Sequence, residues 1–304
     1  GTGVFSKRKY VRAVTDISLQ IRRGETFGLV GESGCGKSTF ANATIGLQPP
    51  ASGSVLFGGQ ELYSLPKKQF RAERRRMQKI FQDPLSSLNP RFNVLELVSE
   101  PLVIRGGFTK GERAERAAEM LESVGLGAED LYRYPSDFSG GQRQRIAIAR
   151  ALILQPEYLV CDEPVSALDV SVHAQILNLL CDLQKSMGIT YLFISHNLAA
   201  VRKLCDHVAI MYLGRMVECG SAEKIFANPL HPYTKALLSA VLDTDPDRKR
   251  QRVTLKGDVS SPVDPPPGCR FCKRCPEARE NCESAPCPLA EAEEEHFVAC
   301  PYAL

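Results

Sequence analysis

The sequence has no apolar run that could cross a bilayer. Stretches such as Val208–Leu213 fall far short of the ~20 residues that a spanning helix needs. It has almost no excess of charge: 38 Lys and Arg stand against 35 Asp and Glu, a net +3, too little to argue for a polyanion binder on charge alone. No basic-then-apolar leader opens the chain, so nothing marks it for secretion, and Gly1 in place of Met suggests a trimmed start. Neither a repeat of solenoid period nor a sustained heptad occurs. What is present is ordinary: 43% hydrophobic and 24% charged residues in 304. Those values exclude a mostly disordered chain, a collagen-like chain and a small disulfide scaffold, and the length allows one large domain with or without an appendage.

The cysteines are spread unevenly. Cys35, Cys161, Cys181, Cys205 and Cys219 are a normal background for a reduced protein, where the thiol serves as a small apolar group. Cys269, Cys272, Cys275, Cys282, Cys287 and Cys300 crowd into the last 36 residues. Without a secretion signal, a metal or cluster site explains that crowding better than a disulfide framework. On spacing alone both Zn2+ and an iron–sulfur cluster are compatible with Cys269-x2-Cys272-x2-Cys275. Nothing in the sequence places this tail near any other site.

Apolar periodicity predicts alternating strands and helices, the pattern of a parallel sheet covered by helices. Strands are expected over Val11–Ile21, Glu25–Val30, Gly53–Leu56, Met77–Phe81, Tyr158–Cys161 and Thr190–Ile194. Helices are expected over Ser38–Leu47, Pro66–Arg76, Glu112–Val124, Gly140–Leu154, Val170–Met187 and Asn197–Leu204. A hairpin turning at Gly214 closes this series. One or two helices fit Ala222–Leu242, and the charged, then Pro-rich, stretch Asp243–Gly268 reads as a linker. The basic run Lys67, Lys68, Arg71, Arg74, Arg75 and Arg76 reads as a solvated helix face, and the stripe over Ala117–Val124 as core.

Gly31-Glu-Ser33-Gly34-Cys35-Gly36-Lys37-Ser38 fits G-x-x-x-x-G-K-[ST] at every fixed position, after an apolar strand and at the start of a helix. Such a loop curls its N–H groups around one anion, and the helix N-terminus adds a favourable dipole. Lys37 is expected to reach the β- and γ-phosphates, the Ser38 hydroxyl to bind Mg2+, and Thr39 to support a phosphate. Tyr158-Leu-Val-Cys-Asp162-Glu163 is an apolar strand that ends in two carboxylates. Asp162 there can hold Mg2+ through water, and Glu163 can polarise an attacking water. His196, after a third apolar strand, is positioned to meet the γ-phosphate.

Ser139-Gly140-Gly141-Gln142 opens a helix ahead of that acidic strand. This order resembles the nucleotide-binding domain of ATP-binding cassette (ABC) proteins. In that family the second Gly-rich helix start serves the nucleotide of an opposite subunit. Gln82 matches the Q-loop glutamine, which joins Ser38 and Asp162 around Mg2+. Ser166-Ala167-Leu168-Asp169 matches the D-loop, and His196 the switch histidine. The resemblance covers about residues 11–220 and implies an α/β ABC-type P-loop ATPase core with an antiparallel β subdomain and a helical subdomain near 83–150. A helix and Pro-rich linker over 221–268 and a small Cys-rich extension over 269–304 follow. It also implies that residues 83–138 carry a groove for a permease helix.

Within the family, Phe81-Gln-Asp-Pro-Leu-Ser-Ser-Leu-Asn-Pro-Arg91, Asn228-Pro-Leu-His-Pro-Tyr-Thr-Lys-Ala-Leu-Leu238 and the tail resemble the ATPases of oligopeptide and dipeptide importers. Phe138-Ser-Gly-Gly-Gln-Arg-Gln-Arg145 is similar to the "F" member of their ATPase pair. That implies a paralogous "D"-type ATPase, two membrane permeases and an extracytoplasmic peptide-binding protein as partners, with the chain held at the cytoplasmic face of the membrane. No nucleic acid is expected. The tail resemblance favours a [4Fe–4S] cluster on Cys269, Cys275, Cys282 and Cys300 over Zn2+. The aromatic residue that stacks adenine in the family falls before Gly1, and Tyr10, in poor register, reads as a surface tyrosine. A rival is a non-transport ABC ATPase acting on nucleic acid, which the single cassette and the lack of heptads disfavour. Nickel and glutathione importers share the same motifs.

Overall fold

The computed structural model describes residues 10–166, 168–240, 255, 257 and 261–303. Its chain divides into two compact units. One takes Gly1–Gln20, Phe27–Phe40 and Ser195–Leu304; the other takes Ile21–Thr26 and Ala41–Ile194. In chain order the elements are β1 (Thr26–Val30), α1 (Lys37–Thr44), β2 (Leu56–Phe57), β3 (Gln60–Glu61), α2 (Lys67–Arg75), β4 (Met77–Ile80), α3 (Pro84–Ser87), α4 (Val94–Arg105), α5 (Lys110–Ser123), α6 (Gly140–Leu152), β5 (Tyr158–Asp162), α7 (Val170–Met187), β6 (Thr190–Ile194), α8 (Leu198–Leu204), β7 (His207–Tyr212), β8 (Arg215–Ser221), α9 (Ala222–Ala227), α10 (Pro232–Ser239), β9 (Ala290–Glu293) and β10 (His296–Val298).

In the second unit, β4, β5 and β6 run parallel, with Ile80 beside Cys161 and Asp162 beside Ile194. Every residue of β5 and β6 is buried, as expected of parallel strands covered on both faces. The helical part is α4, α5 and α6 packed on one another. Val94, Leu97, Val98 and Leu102 of α4, and Ala117 and Leu121 of α5, are shut away from water. Each of the three helices starts with a reciprocal capping box: Asn93 with Glu96, Thr109 with Glu112, and Ser139 with Gln142. These boxes satisfy N–H groups that a helix start otherwise leaves orphaned. The basic helix α2 buries nothing, so its charges do line a solvated face.

In the first unit the sheet is mixed. β1 pairs parallel with β7, and β7 and β8 form the expected hairpin. Leu213 and Gly214 turn it, both with positive φ, the backbone a two-residue hairpin turn requires. The tail supplies two further strands, which the sequence did not lead us to expect. β10 pairs antiparallel with β8, and β9 with β10.

Two expected strands are corrected. Val11–Ile21 forms no strand; Val11 makes a single bridge to Val263. Arg12 N–H donates to Pro262 O, and Thr15 N–H to Gly214 O. The alternation is real, but these residues meet a turn and a loop instead of a strand edge, so no ladder can form. The strand expected over Gly53–Leu56 shrinks to Leu56–Phe57 against Gln60–Glu61. Most of the linker expected over Asp243–Gly268 lies outside the described residues. Its last part, 261–267, has no helix or strand.

Candidate nucleotide-binding site

The phosphate loop sits between a fully buried strand and a helix. All five residues of β1 are buried, and α1 begins at Lys37. Gly36 has φ 107°, and a Cβ there would lie 2.0 Å from Ala13 O. Only glycine fits that curl. Lys37 is buried and its Nζ donates to Gly31 O at 2.7 Å and Glu32 O at 3.0 Å. Cys35 is buried beside it, with Sγ 3.9 Å from Lys37 Nζ. Burial pushes the Cys35 thiol up, and the lysine offsets this only in part, so the thiol is a packing group and not a nucleophile. Ser33, Gly34 and Ser38 are exposed, and Thr39 is half-buried. His196 is exposed in the same unit, just before α8. Asn197 caps α8 by accepting from the N–H groups of Ala199 and Ala200.

The two carboxylates of the acidic strand end lie in the second unit. Gln82 and Glu163, 81 residues apart in the chain, meet there: Gln82 Nε2 donates to Glu163 Oε2 at 2.9 Å. Glu163 has φ 49°, a left-handed backbone that costs a non-glycine residue about 1 kcal/mol or more. Its N–H donates to Ile194 O, and its C=O accepts from Ser166 N–H and Oγ. Those three bonds hold the strained turn.

Asp162 is buried at the end of β5, and Lys79 Nζ of β4 pairs with its Oδ2 at 2.7 Å. The same Nζ donates to Asn42 Oδ1 at 3.0 Å. Sequence reasoning missed Lys79 and Asn42. The available signal was a lone charge in the short strand Met77–Ile80, between two buried apolar ends.

The second Gly-rich segment starts α6. Ser139 is exposed, its Oγ accepts from Gln142 N–H at 3.3 Å, and Gln142 Oε1 accepts from Ser139 N–H at 2.9 Å. Gly140 is exposed, whereas Gly141 is buried. A Cβ on Gly141 would lie 2.6 Å from Val172 Cγ1, so this glycine lets α6 and α7 approach. Asp169 is exposed at the start of α7 and makes no side-chain cap bond. Ala167 of the D-loop lies outside the described residues. Tyr10 is 63% exposed, the surface tyrosine expected.

Several of the six tail cysteines lie close enough to feel one another's charge. Cys269 senses Cys272, Cys275 and Cys287, and Cys275 senses Cys282 and Cys300. Burial pushes the Cys269 thiol up to about 12 and raises Cys272, Cys275 and Cys287 as well. Yet among the described residues no three His, Cys, Asp or Glu side chains converge tightly enough to share a metal ion. The donor chemistry suits a thiolate site; the arrangement is not one, and the expected cluster finds no support in it.

The tail does reach the phosphate loop, contrary to expectation. Arg274 Nη1 donates to both carboxylate oxygens of Glu32, at 3.1 and 2.9 Å. No spacing in the sequence signals this contact.

Comparison with known proteins gives the family. Residues 14–166 match the family model described as ABC transporter. Residues 217–282 match the one described as oligopeptide/dipeptide transporter, C-terminal region. The di/tripeptide transport ATP-binding protein DppF of Pseudomonas aeruginosa is 48% identical over 301 residues, 99% of this chain and 93% of its own length. The oligopeptide transport ATP-binding protein OppF of Haemophilus influenzae is 48% identical over 299 residues, 97% and 90% of the two chains. Among solved structures, a dimeric ATP-binding cassette in a post-hydrolysis state, bound to ADP and Pi, superimposes with TM-score 0.62. It is 31% identical over 69% of this chain and 90% of its own. The cbiO1 protein of Clostridium perfringens gives TM-score 0.65 at 30% identity, over 71% of this chain and 84% of its own.

Proposed function

The chain belongs to the ATP-binding subunits of the oligopeptide/dipeptide ABC importers, and from that membership we propose the roles its residues play in hydrolysis and transport. Lys37 and the loop amides of Gly31, Ser33, Gly34, Cys35 and Gly36 take the phosphates, with Thr39 in support. Ser38, Gln82 and Asp162 hold the Mg2+ that the family's chemistry implies. Bound there, the ion neutralises charge that builds on the phosphoryl oxygens. Glu163 accepts the proton of the attacking water, and His196 donates toward the γ-phosphate. Ser139, Gly140, Gly141, Gln142 and Asp169 face the nucleotide of a second cassette. Closure gains from γ-phosphate contacts made by both halves, and hydrolysis removes them.

One observation carries this reading: Gln82, the Q-loop match, donates to Glu163, the proposed base, at 2.9 Å. A bond between these two gives the Q-loop a direct hold on the proton acceptor. A surface cavity of about 450 Å3, lined by residues that include Phe81, Ser86, Ser87, Glu100, Pro101 and Arg150, adjoins the Q-loop. It suits the proposed permease contact, with β4 and α6 contributing beside residues 83–138.

The proposed partners are a paralogous "D"-type ATPase, two permeases and an extracytoplasmic peptide-binding protein. Among the described residues no helix is long and apolar enough to cross a membrane, which suits attachment at the cytoplasmic face through permeases. The iron–sulfur assignment of Cys269, Cys275, Cys282 and Cys300, and the zinc alternative, rest on spacing and resemblance. Metal analysis with a visible absorption spectrum after anaerobic purification separates the two from each other and from a tail whose thiols hold no metal.

The deciding experiment is Glu163→Gln in the assembled complex. It keeps ATP binding and lowers turnover at least about a hundredfold, the usual contribution of a positioned base. Unchanged turnover would remove Glu163 from its role. Purification of the complex with its permeases, and not with nucleic acid, tests the assignment to transport.

A further inference from the structure

Glu32 is the first residue after the opening glycine of the phosphate loop; two groups hold its peptide and a third holds its side chain. Lys37 Nζ donates to its carbonyl at 3.0 Å. Its N–H donates to Tyr233 Oη of α10 at 3.0 Å. Its carboxylate receives Arg274 Nη1 from the tail. The Arg274 and Glu32 side chains are 10% and 25% exposed, so water screens this ion pair weakly compared with a surface pair.

The holding groups are themselves packed in the core. Tyr212, Tyr233 and Phe271 are among the largest fully buried side chains. Their rings meet at 4.8, 5.2 and 5.3 Å between centroids. Arg274 Nη1 also lies 3.4 Å from Tyr212 Oη. Arg270 anchors the same segment, donating to Leu213 O and to Thr15 Oγ1. Arg274 ends the short turn Cys272–Arg274.

We propose that Arg274 and Tyr233 are positioning residues for the phosphate loop, and that the cysteine-bearing tail serves the nucleotide site by holding Glu32 in place. When Lys37 turns to a phosphate it gives up the carbonyls of Gly31 and Glu32. The loop then keeps its curl through contacts that do not move, and the tail supplies them. An anion site that is already shaped loses less free energy on binding than one that must be ordered. This inference rests on the reading of the loop as the ATP site.

The test is MgATP affinity by isothermal titration on the full chain, with urea unfolding measured alongside. Arg274→Ala weakens MgATP about tenfold, the equivalent of one charge-assisted hydrogen bond. Arg274→Lys keeps part of that affinity, and Tyr233→Phe, which removes only a hydroxyl, also weakens binding. The double variant Glu32→Ala/Arg274→Ala binds no worse than Arg274→Ala, because both act through one contact. Parental affinity in both Arg274→Lys and Tyr233→Phe overturns the proposal. So does a lower urea midpoint for Arg274→Ala with unchanged affinity, which is what a purely structural role produces. A parent chain that binds no MgATP overturns the nucleotide-site reading itself.

Discussion

Lys79 and Asp162 form a close pair with side chains only 7% and 8% exposed. A buried pair adds little over an apolar replacement of both members, but removing one member strands the other charge. Lys79→Met is therefore expected to lower the unfolding free energy by about 3 kcal/mol, read from urea denaturation at pH 7. A variant as stable as the parent would mean that the pair contributes nothing. Lys79 also bears on how much of the site can be read from sequence. Lys37, Asp162 and Glu163 are legible because short motifs specify them: backbone curl, helix start and strand end are local. The lysine that neutralises Asp162 comes from 83 positions earlier, and no local pattern joins the two. Gly141 carries a demand its motif does not announce: besides the nucleotide role the motif marks, its lack of a Cβ lets Val172 of α7 approach.

Among the elements, α10 depends on one neutral histidine. His231 precedes the helix, and its Nδ1 accepts from Tyr233 N–H at 3.0 Å. Burial, helped by the charge of Lys235, pushes the His231 pKa down to about 3. The unfolded chain therefore binds a proton near pH 6.5 that the folded chain refuses until near pH 3. Stability from this group is complete above pH 6.5 and falls as the pH drops toward 3. Between pH 7.5 and 5.0 the loss is about 2 kcal/mol. The contrast to measure is unfolding free energy at those two pH values in the parent and in His231→Gln. An equal drop in both would show that His231 is not the group responsible. Tyr233, whose N–H this cap holds, is the residue whose hydroxyl supports the phosphate loop. At the same scale, long helices such as α7 were legible from periodicity because each buries its own stripe. The stretch over 11–21 has the alternation of a strand but no strand partner beside it.

Over the whole molecule the tail is part of a sheet. His296 of β10 and Glu218 of β8 are both fully buried and meet at 2.8 Å, Nε2 to Oε1. Glu218 also accepts from the N–H groups of Leu230 and His231. One carboxylate thus joins the hairpin, the start of α10 and the tail. His296→Leu leaves that carboxylate short of a partner and is expected to lower the urea midpoint by the equivalent of about 3 kcal/mol. Should the midpoint stay at the parental value, the tail strand is held by its ladder alone.

Motifs written in consecutive residues are legible in the sequence by itself: a phosphate loop, an acidic strand end, a second Gly-rich helix start, and their order. Each is a local arrangement of backbone whose cost and shape a few neighbours control. What joins residues far apart in the chain came only from folding: Lys79 on Asp162, Gln82 on Glu163, Arg274 on Glu32, and the tail strand on β8. Such pairings depend on which surfaces are buried together, and burial is a property of the packed chain, carried by no single stretch of it.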